Sequence, residues 1–355
     1  MAYTSIDNPE LYFQTKIYTG DGNDDRDIVF DVTDTTMQPD FLWSARRDSG
    51  DNLSIYDSVR GDGKELRTAE TGAEYDRTNN IQSLNSNGFQ VGDDGQVNAS
   101  GGTYVSWAWK AGGSASSNSN GTITSTVSAN QTSGFSIVTY SGNSTAGATV
   151  GHGLSVVPSV VLVKSRDGTY GYGMYHHKNT SAPETDYLSI NNTDATVDDV
   201  NFWNDTAPTS SVFSLGGTDA INKTSNSHVA YVFAEKKGYS KFGSYTGNGN
   251  ADGTFVYIGF KPAWVMIKES SNAGNAWHIR DNKRSTFNVV NDSMYANSSI
   301  AEVTNNSSLD TDFLSNGFKL RNSDTNDNGS GRTYIYMAFA EAPFVSSSGV
   351  PTTAR

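Results

Sequence analysis

The sequence predicts an all-β protein built from three β-sandwich domains of the lectin-like or jelly-roll kind, arranged in tandem. Two observations predict this fold class. Strand-length runs rich in Val, Ile, Tyr, Phe and Trp alternate with segments rich in Gly, Asn, Asp and Ser, and good helix-period segments of about ten residues or more are absent. In addition, one pattern of three sequence anchors occurs three times within the 355 residues.

The three anchors keep the same order in every copy. The first anchor is Tyr-Ser/Thr-Gly, which begins at Tyr18, Tyr140 and Tyr245. The second is a proline that opens an apolar run, at Pro39, Pro158 and Pro262. The third is a strand pair running from a phenylalanine to a closing aromatic residue, from Phe89 to Trp109, Phe213 to Phe233 and Phe318 to Phe339. Each copy is about 100 residues long, which suits one β-sandwich.

These spacings divide the chain into six segments. We expect an N-terminal arm at 1–14, sandwiches at 15–112, 134–238 and 239–345, a linker at 113–133 and a C-terminal tail at 346–355. The linker is rich in Gly, Ser and Thr, although its centre, "TITSTVSA", alternates like a short strand. We interpret the arm as an attachment segment and the tail as loosely held.

One strand carries a further expectation about how the domains are arranged. The run "WVMIK", which follows Pro262, is apolar at every position before its lysine, so both faces of this strand are apolar. Such a strand lies either in the covered centre of a sheet or against a neighbouring domain or subunit.

Composition and charge argue against several classes of function. The chain has no cysteine, so disulfides, thiolate metal sites and thiol nucleophiles are excluded. A formal net charge of −13 argues against a nucleic acid partner, because the phosphate backbone requires a basic surface. No run approaches the ~18–20 apolar residues of a membrane helix, and the first residues lack the pattern of a signal peptide. We therefore expect no membrane insertion.

Catalytic patterns are also missing, and we expect that the protein is not an enzyme. The five histidines lack metal-ligand spacing, and neither a Gly-x-Ser-x-Gly elbow nor a phosphate-binding loop occurs. Hydrolysis of sugars requires two carboxylates ~5–9 Å apart across a cleft. The Glu-rich stretch "KELRTAETGAEYD" resembles an exposed loop rather than such a pair. A polysaccharide depolymerase remains only a third alternative.

Aromatic side chains in two loops are the candidates for ligand binding. Tyr170 and Tyr172 occur in "RDGTYGYGMY", and Trp203 occurs in "VNFWND". Rings at loop tips offer flat apolar faces with a polar edge, which suit sugar rings or protein partners. The alternative is that these rings close the ends of the sandwiches.

A second candidate site has the spacing of calcium ligands. Asp324, Asn326 and Asn328 alternate ahead of a glycine, as at the start of a calcium loop, but the twelfth position is Ile335 instead of glutamate. Asp, Asn and Gly are also the ordinary residues of β-turns. We therefore expect neither a metal nor a cofactor, with calcium at these three residues as the alternative.

Several phrases of the sequence resemble a family of virion proteins of tailed phages that infect marine bacteria. The phrases include "SIDNPELYFQTKIYTGDG", "SIYDSVRG", "YVSWAWKAGG", "GTITSTVSANQTSGFSIVTYSG" and "MAFAEAPF". The resemblance covers nearly the whole chain and implies lectin-like sandwiches exposed on the particle. The second copy departs from the pattern, because "YHHKNT" replaces the "DSVRG" phrase. If that phrase serves a ligand, the second copy has lost it.

The resemblance implies a virion structural protein made in the host cytoplasm and carried on the particle surface. We expect it to bind host-surface glycans as part of a tail fibre or appendage, where repeated weak sites gain avidity. The alternative is a capsid decoration or tail component whose partners are other virion proteins. Homo-oligomers are expected in either setting.

Overall fold

Each copy of the anchors folds into one unit made of a large and a small antiparallel sheet. The computed structural model describes residues 3–31 and 35–353. Strands make up 41% of the protein and helices 5%, so the all-β prediction is confirmed. We name the units 1, 2 and 3 in chain order.

The elements are short, and most connections are turns. Unit 1 contains β1 Phe13–Thr19, β2 Arg26–Val29, β3 Phe41–Arg46, β4 Ser54–Asp57, β5 Lys64–Arg67, β6 Tyr75–Asp76, β7 Ile81–Asn85, β8 Gly88–Val91, α1 Gly95–Asn98 and β9 Thr103–Trp109. Unit 2 contains β10 Ser116–Asn118, β11 Ser125–Asn130, β12 Phe135–Ser141, β13 Ala148–Gly151, β14 Val160–Ser165, β15 Gly173–His176, β16 Asp186–Tyr187, β17 Val197–Asp198, α2 Val200–Trp203, β18 Val212–Leu215, α3 Asp219–Asn222 and β19 Ser227–Phe233. Unit 3 contains β20 Ser240–Thr246, β21 Phe255–Tyr257, β22 Phe260–Glu269, β23 His278–Asp281, β24 Met294–Tyr295, β25 Thr311–Leu314, β26 Gly317–Leu320 and β27 Thr333–Pro343. Single 3-10 turns lie at Pro9–Leu11 and Ser307–Leu309, and none of the described helices is long and apolar enough to cross a membrane.

The three large sheets share one strand order. It is β1-β9-β3-β4 in unit 1, β12-β19-β14-β15 in unit 2 and β20-β27-β22-β23 in unit 3. The small sheets are β2-β8-β7, β13-β18 and β21-β26-β25, and β16-β17 forms an additional two-stranded sheet in unit 2. The segment that we expected to be a linker, 113–133, contains β10 and β11, and β11 pairs with the whole length of β12 up to Phe135. This segment therefore belongs to the large sheet of unit 2.

Each large sheet is buried on both faces. One face packs on the small sheet of its own unit, and the other meets the remaining two large sheets in a shared aromatic core. In β22, Trp264 and Met266 face this shared core, whereas Val265 and Ile267 face the core of unit 3. The two-faced apolar run after Pro262 thus lies against the neighbouring units.

The closing aromatic residues of the three copies meet at the centre of the molecule. Trp109, Phe233 and Phe339 occupy equivalent positions on β9, β19 and β27, opposite the first residues of β1, β12 and β20. The ring centroid of Phe339 lies 5.3 Å from that of Trp109 and 6.0 Å from that of Phe233. Because equivalent residues converge, the units surround a pseudo-threefold axis.

The Tyr-Ser/Thr-Gly anchor ties β1, β12 and β20 to the segment before the last strand of the same unit. The tyrosine hydroxyls donate hydrogen bonds to backbone carbonyls, from Tyr18 to Val97 at 2.8 Å, from Tyr140 to Ile221 at 2.7 Å and from Tyr245 to Asp327 at 2.5 Å. A fully buried asparagine follows each acceptor and binds the backbone N–H after the anchor glycine; these are Asn98, Asn222 and Asn328. A Cβ on Gly142 would lie 2.4 Å from the carbonyl oxygen of Lys223, so this close approach requires glycine.

The arm and the tail pack on unit 3 rather than projecting from the molecule. The Tyr3 hydroxyl donates to the Gly259 carbonyl at 2.8 Å, and the side chain of Ile6 is buried in the shared core. The Ser347 N–H donates to Asp7 at 2.6 Å, which joins the two ends of the chain. The arm thus closes the ring between units 1 and 3. Residues 1, 2, 354 and 355 lie outside the described residues.

Equivalent backbone hydrogen bonds join each unit to the next around the ring. In every seam a backbone N–H of one unit donates to a backbone carbonyl of the next unit. The acceptor is the residue that directly follows β3, β14 or β22. The three bonds are Glu74 to Arg166 at 2.8 Å, Thr196 to Ser270 at 3.0 Å and Glu302 to Arg47 at 2.8 Å. We call these contacts seam 1–2, seam 2–3 and seam 3–1.

Seam 1–2 is held by a buried network that starts from the "DSVRG" phrase. Asp57 accepts from the Tyr231 hydroxyl of unit 2 at 2.7 Å and forms an ion pair with Arg60, and both side chains are fully buried. Arg60 also binds Glu74 at 2.9 Å, and Glu74 binds Arg166 of unit 2 at 2.7 Å. The phrase therefore serves the joint between units rather than an external ligand.

Seam 3–1 repeats the same network with different residues. Asp281 accepts from the indole Nε1 of Trp107 at 3.0 Å and pairs with Arg284 at 2.5 Å. Arg284 binds Glu302 at 2.8 Å, and Glu302 binds Arg47 of unit 1, also at 2.8 Å. Two of the three seams are thus closed by an Asp–Arg–Glu–Arg ladder.

Seam 2–3 replaces every member of this ladder by a side chain that carries no formal charge. Met337 stands where Tyr231 and Trp107 stand, and it has no hydrogen to donate. His176 stands in place of the aspartate and bonds the Tyr336 carbonyl through Nε2 at 3.2 Å, while its Nδ1 accepts from the Lys178 N–H at 3.2 Å. Asn179, Thr196 and Ser270 take the positions of the ladder's Arg, Glu and second Arg. The "YHHKNT" departure is therefore a coordinated change in one joint.

Substitution Asp57→Asn should destabilise the fold, because it leaves the buried Arg60 without its nearest counter-charge. Breaking a buried pair on one side costs roughly 3–5 kcal/mol. We expect a loss of about 3 kcal/mol in the free energy of unfolding by urea titration. The control is Asp62→Asn, since Asp62 is exposed, and its effect should stay within about 0.5 kcal/mol. Equal effects of the two substitutions would contradict the role of Asp57 in the seam.

The protein should lose stability as the pH falls from 7 to 5, and His176 should supply a defined share of that loss. Burial lowers the pKa of His176 to about 3, whereas an unfolded histidine titrates near 6.5. Between these values only the unfolded chain binds the proton, so protonation favours unfolding as the pH falls. For one such histidine the loss at pH 5 is about 2 kcal/mol.

Substitution His176→Gln tests this share, because glutamine keeps an N–H donor and does not titrate. The variant should lose about 2 kcal/mol less than the wild type between pH 7 and pH 5, measured by urea unfolding at each pH. Identical pH dependence in the two proteins would show that His176 is not kept neutral by the fold.

Candidate functional site

Two of the three loop aromatics that we predicted as ligand-binding residues are buried. Tyr172 is 1% exposed in the shared core, and its hydroxyl donates to the Arg67 carbonyl of unit 1 at 3.1 Å. Trp203 is 2% exposed in the core of unit 2, where its ring lies 6.1 Å from that of Tyr175. Neither ring can be reached by a ligand, so the expectation for these two residues is corrected. Their loops fold back into the molecule.

The third predicted residue, Tyr170, stays at the surface of unit 2. Its hydroxyl accepts a hydrogen bond from Lys223 at 2.6 Å and donates to Asp219 at 3.2 Å. The side chain is half-buried. The structure therefore does not bring Tyr170 together with Tyr172 and Trp203 into one site.

The three calcium candidates are used by the turn that contains them. Asp324 Oδ1 accepts from the backbone N–H and the side-chain amide of Asn326, at 2.9 and 2.6 Å. Asn328 is the buried asparagine of the first anchor, and its amide donates to Asn248, Asn250 and Asn322. In residues 3–31 and 35–353, no three His, Asp or Glu side chains form a group that could hold a metal ion.

The Glu-rich stretch of unit 1 is not the exposed loop that we expected. Glu65 lies on β5 with 0% exposure, and its carboxylate accepts from Ser54 and Gln96, each at 2.5 Å. Glu74 is the bridging carboxylate of seam 1–2. Both acids are committed to the fold, so this stretch offers no exposed carboxylate pair from these two residues.

Unit 3 carries exposed aromatic side chains that sequence reasoning missed. Phe255 and Tyr257 alternate on β21 around the buried Val256, so both point to the outer face of the small sheet, with 44% and 55% exposure. A Cβ on Gly317 would lie 3.0 Å from Phe255 Cε2 and 2.1 Å from the Val256 carbonyl oxygen, so the glycine makes room for this strand. Lys319 is the cross-strand partner of Phe255, so its charged side chain extends from the same face of the sheet.

A further exposed ring lies at the opposite edge of the same sheet. Phe287 is 79% exposed and lies three residues before Val290, which bridges to Thr311 on the edge strand β25. We call Phe255 and Tyr257 the unit-3 aromatic face. Together with Phe287 they are the exposed aromatic side chains among the large hydrophobic residues of the described chain.

The equivalent positions in the other units are not aromatic. The register of the small sheets equates Phe255 with Asp27 of unit 1 and Thr149 of unit 2. Tyr257 corresponds to Val29 and Gly151 in the same way. The fold therefore does not require aromatic residues on this surface, and unit 3 alone has them at the β21 positions.

Seam 2–3 contains a polar groove of about 530 Å³. The small side chains that replace the ionic ladder leave this space open at the positions where the other seams hold Arg and Glu. The groove is lined by Lys178, Asn179, Thr180, Thr196, Ser244, Ser270, Ser271 and Thr333. Its lining therefore presents hydroxyl groups, one amide and one amine.

The amide of Asn179 is the most unusual group in this groove. Asn179 is 4% exposed, and its Oδ1 accepts from the Thr196 hydroxyl at 2.7 Å. Its Nδ2 has no hydrogen-bond partner among the described residues. A buried donor without an acceptor costs about 1–3 kcal/mol, so an acceptor is expected at this point. The sequence signal for the groove is the departure "YHHKNT", but its meaning depends on the pairing of distant strands.

Comparison with known proteins gives one family. A model for a domain of unknown function, DUF7483, matches residues 8–343. No curated protein and no solved structure matches the chain. The family match runs through all three units and both of the connections between them, from the arm to the end of β27. The chain belongs to the DUF7483 domain family.

Proposed function

We propose that this protein is a non-enzymatic component of a phage particle that binds glycans on the host surface. The resemblance of its phrases to virion proteins supports the location on the particle. The unit-3 aromatic face supports the binding role and is the observation that carries the proposal. Other virion proteins and host polysaccharide are the proposed partners, and several copies per particle would add avidity.

The aromatic face offers the contacts that bind a sugar ring. Exposed rings provide apolar faces for the C–H side of a pyranose, and the neighbouring polar groups can bond its hydroxyls. Lys319 is held beside Phe255 and forms an ion pair with Asp252 at 2.5 Å. An ion pair therefore lies on the strand next to Phe255.

The arrangement also explains why a ligand would bind unit 3 alone through this surface. Asp27 in unit 1 and Thr149 in unit 2 offer no ring at the position of Phe255. Glycan binding through this face would therefore be monovalent within one chain. Avidity would require several chains on the particle.

Substitution of Phe255 and Tyr257 by serine should weaken binding of host polysaccharide and adsorption of particles to host cells. Ring contacts of this kind contribute about 0.5–1.5 kcal/mol each, which corresponds to a twofold to tenfold loss per ring. The measurements are polysaccharide binding by the purified protein and adsorption of particles that carry the variant.

The matched control is Val29→Ser in unit 1. Val29 is 55% exposed, like Tyr257, and occupies the equivalent position. We expect this variant to behave like the wild type in both measurements. If the serine variants also behave like the wild type while the protein is present on particles, the glycan proposal is wrong and the decoration alternative gains support. Release of reducing sugars from host polysaccharide would instead favour the depolymerase.

A further inference from the structure

The groove in seam 2–3 has the chemistry of a ligand site and lies apart from the aromatic face. Its three central positions are Asn179, Thr196 and Ser270, and in seam 1–2 the same positions are Arg60, Glu74 and Arg166. The other seams therefore show what the fold does when this space serves only to join two units: it fills the space with ion pairs. Seam 2–3 leaves it open and polar.

The buried donor of the groove points to a ligand with acceptor oxygens. Asn179 Oδ1 accepts from the Thr196 hydroxyl, which leaves Nδ2 for an acceptor from outside. Lys178 is exposed at the groove and supplies further donors. Ser and Thr hydroxyls both donate and accept, so they can complement a molecule that does the same.

The charges around the groove favour a neutral ligand over an acidic one. None of its lining residues is a carboxylate. However, Asp186, which accepts from the Thr180 hydroxyl, is 7% exposed just beneath this lining. Glu269 accepts from the Ser271 hydroxyl at 3.1 Å and is balanced by Arg332 at 2.9 Å. Lys178 is the one cation in the lining, and the carboxylates of Asp186 and Glu269 lie close behind the lining.

We propose that the seam 2–3 groove binds a neutral saccharide residue, whose oxygen accepts a hydrogen bond from Asn179 Nδ2 and whose hydroxyls bond the Ser and Thr side chains of the lining. The site volume of about 530 Å³ is within the range of small-molecule sites. The groove contains no aromatic side chain, so binding depends on hydrogen bonds and is weak for a single sugar. This site is separate from the unit-3 aromatic face and does not rest on the function proposed for it.

The test is an NMR-detected titration of the whole protein with the methyl pyranosides of glucose, galactose and mannose. Saturable shifts of the backbone amides of Asn179, Thr196 and Ser270 are expected with at least one of these sugars. Glucuronate and galacturonate should bind more weakly than the matching neutral sugars. Absence of saturable shifts with every neutral pyranoside would overturn the proposal. Tighter binding of the uronates would contradict the statement that the ligand is neutral.

Two variants locate the site. Asn179→Asp keeps the acceptor for Thr196 but replaces the Nδ2 donor with a carboxylate oxygen that cannot donate, so the affinity should fall roughly tenfold or more. Ser270→Arg places in the groove the residue type that the other seams carry there, and it should block binding while the unfolding midpoint stays near that of the wild type. Wild-type affinity in both variants would overturn the placement.

The double variant Phe255→Ser with Tyr257→Ser is the matched control. It should bind the pyranosides in the groove as the wild type does, even where it has lost binding of host polysaccharide. The two proposals therefore fail separately. Loss of the groove shifts in this control would show that the titration reports the aromatic face, which would also overturn the groove proposal.

Discussion

The convergence of Trp109, Phe233 and Phe339 at the pseudo-threefold axis is the contact on which the rest of the structure depends. Aromatic side chains bury 150–250 Å² each, so a cluster of them dominates the energetics of the region where it lies. Because the three rings come from the last strands of three large sheets, every sheet has to be apolar on both faces. The units consequently share their largest core and are parts of one folded body.

The polar networks of the seams set the geometry in which this shared core is assembled. A buried ion pair adds little net stability, but losing one partner is costly. The seams therefore penalise wrong neighbours more than they reward the right ones. Seam 2–3 is matched in the same way without charges. Met337 has no hydrogen to donate, and His176 bonds a backbone carbonyl where the other seams use an aspartate.

Much of the fold follows from the sequence, and the limits of that prediction have a physical cause. The residue pattern predicts the strands, and the repeat spacing equates Trp109, Phe233 and Phe339, but it does not indicate where these three residues meet. Pairing across the ring could not be predicted, because Asp57 and Tyr231 are 174 residues apart and only the packing of units joins them. Tyr172 looked like a loop-tip ring for the same reason: local sequence does not reveal what covers a loop.

The presence of all three units in one polypeptide chain has an evolutionary consequence. In a homotrimer of identical subunits, any change at an interface appears three times at once, so replacing an aspartate like Asp57 by histidine would alter every joint together. Three copies encoded in a single gene remove that constraint. One seam can lose its ion pairs and gain a groove while the other two seams keep the units together. A new function can therefore evolve at one seam without destabilising the whole protein.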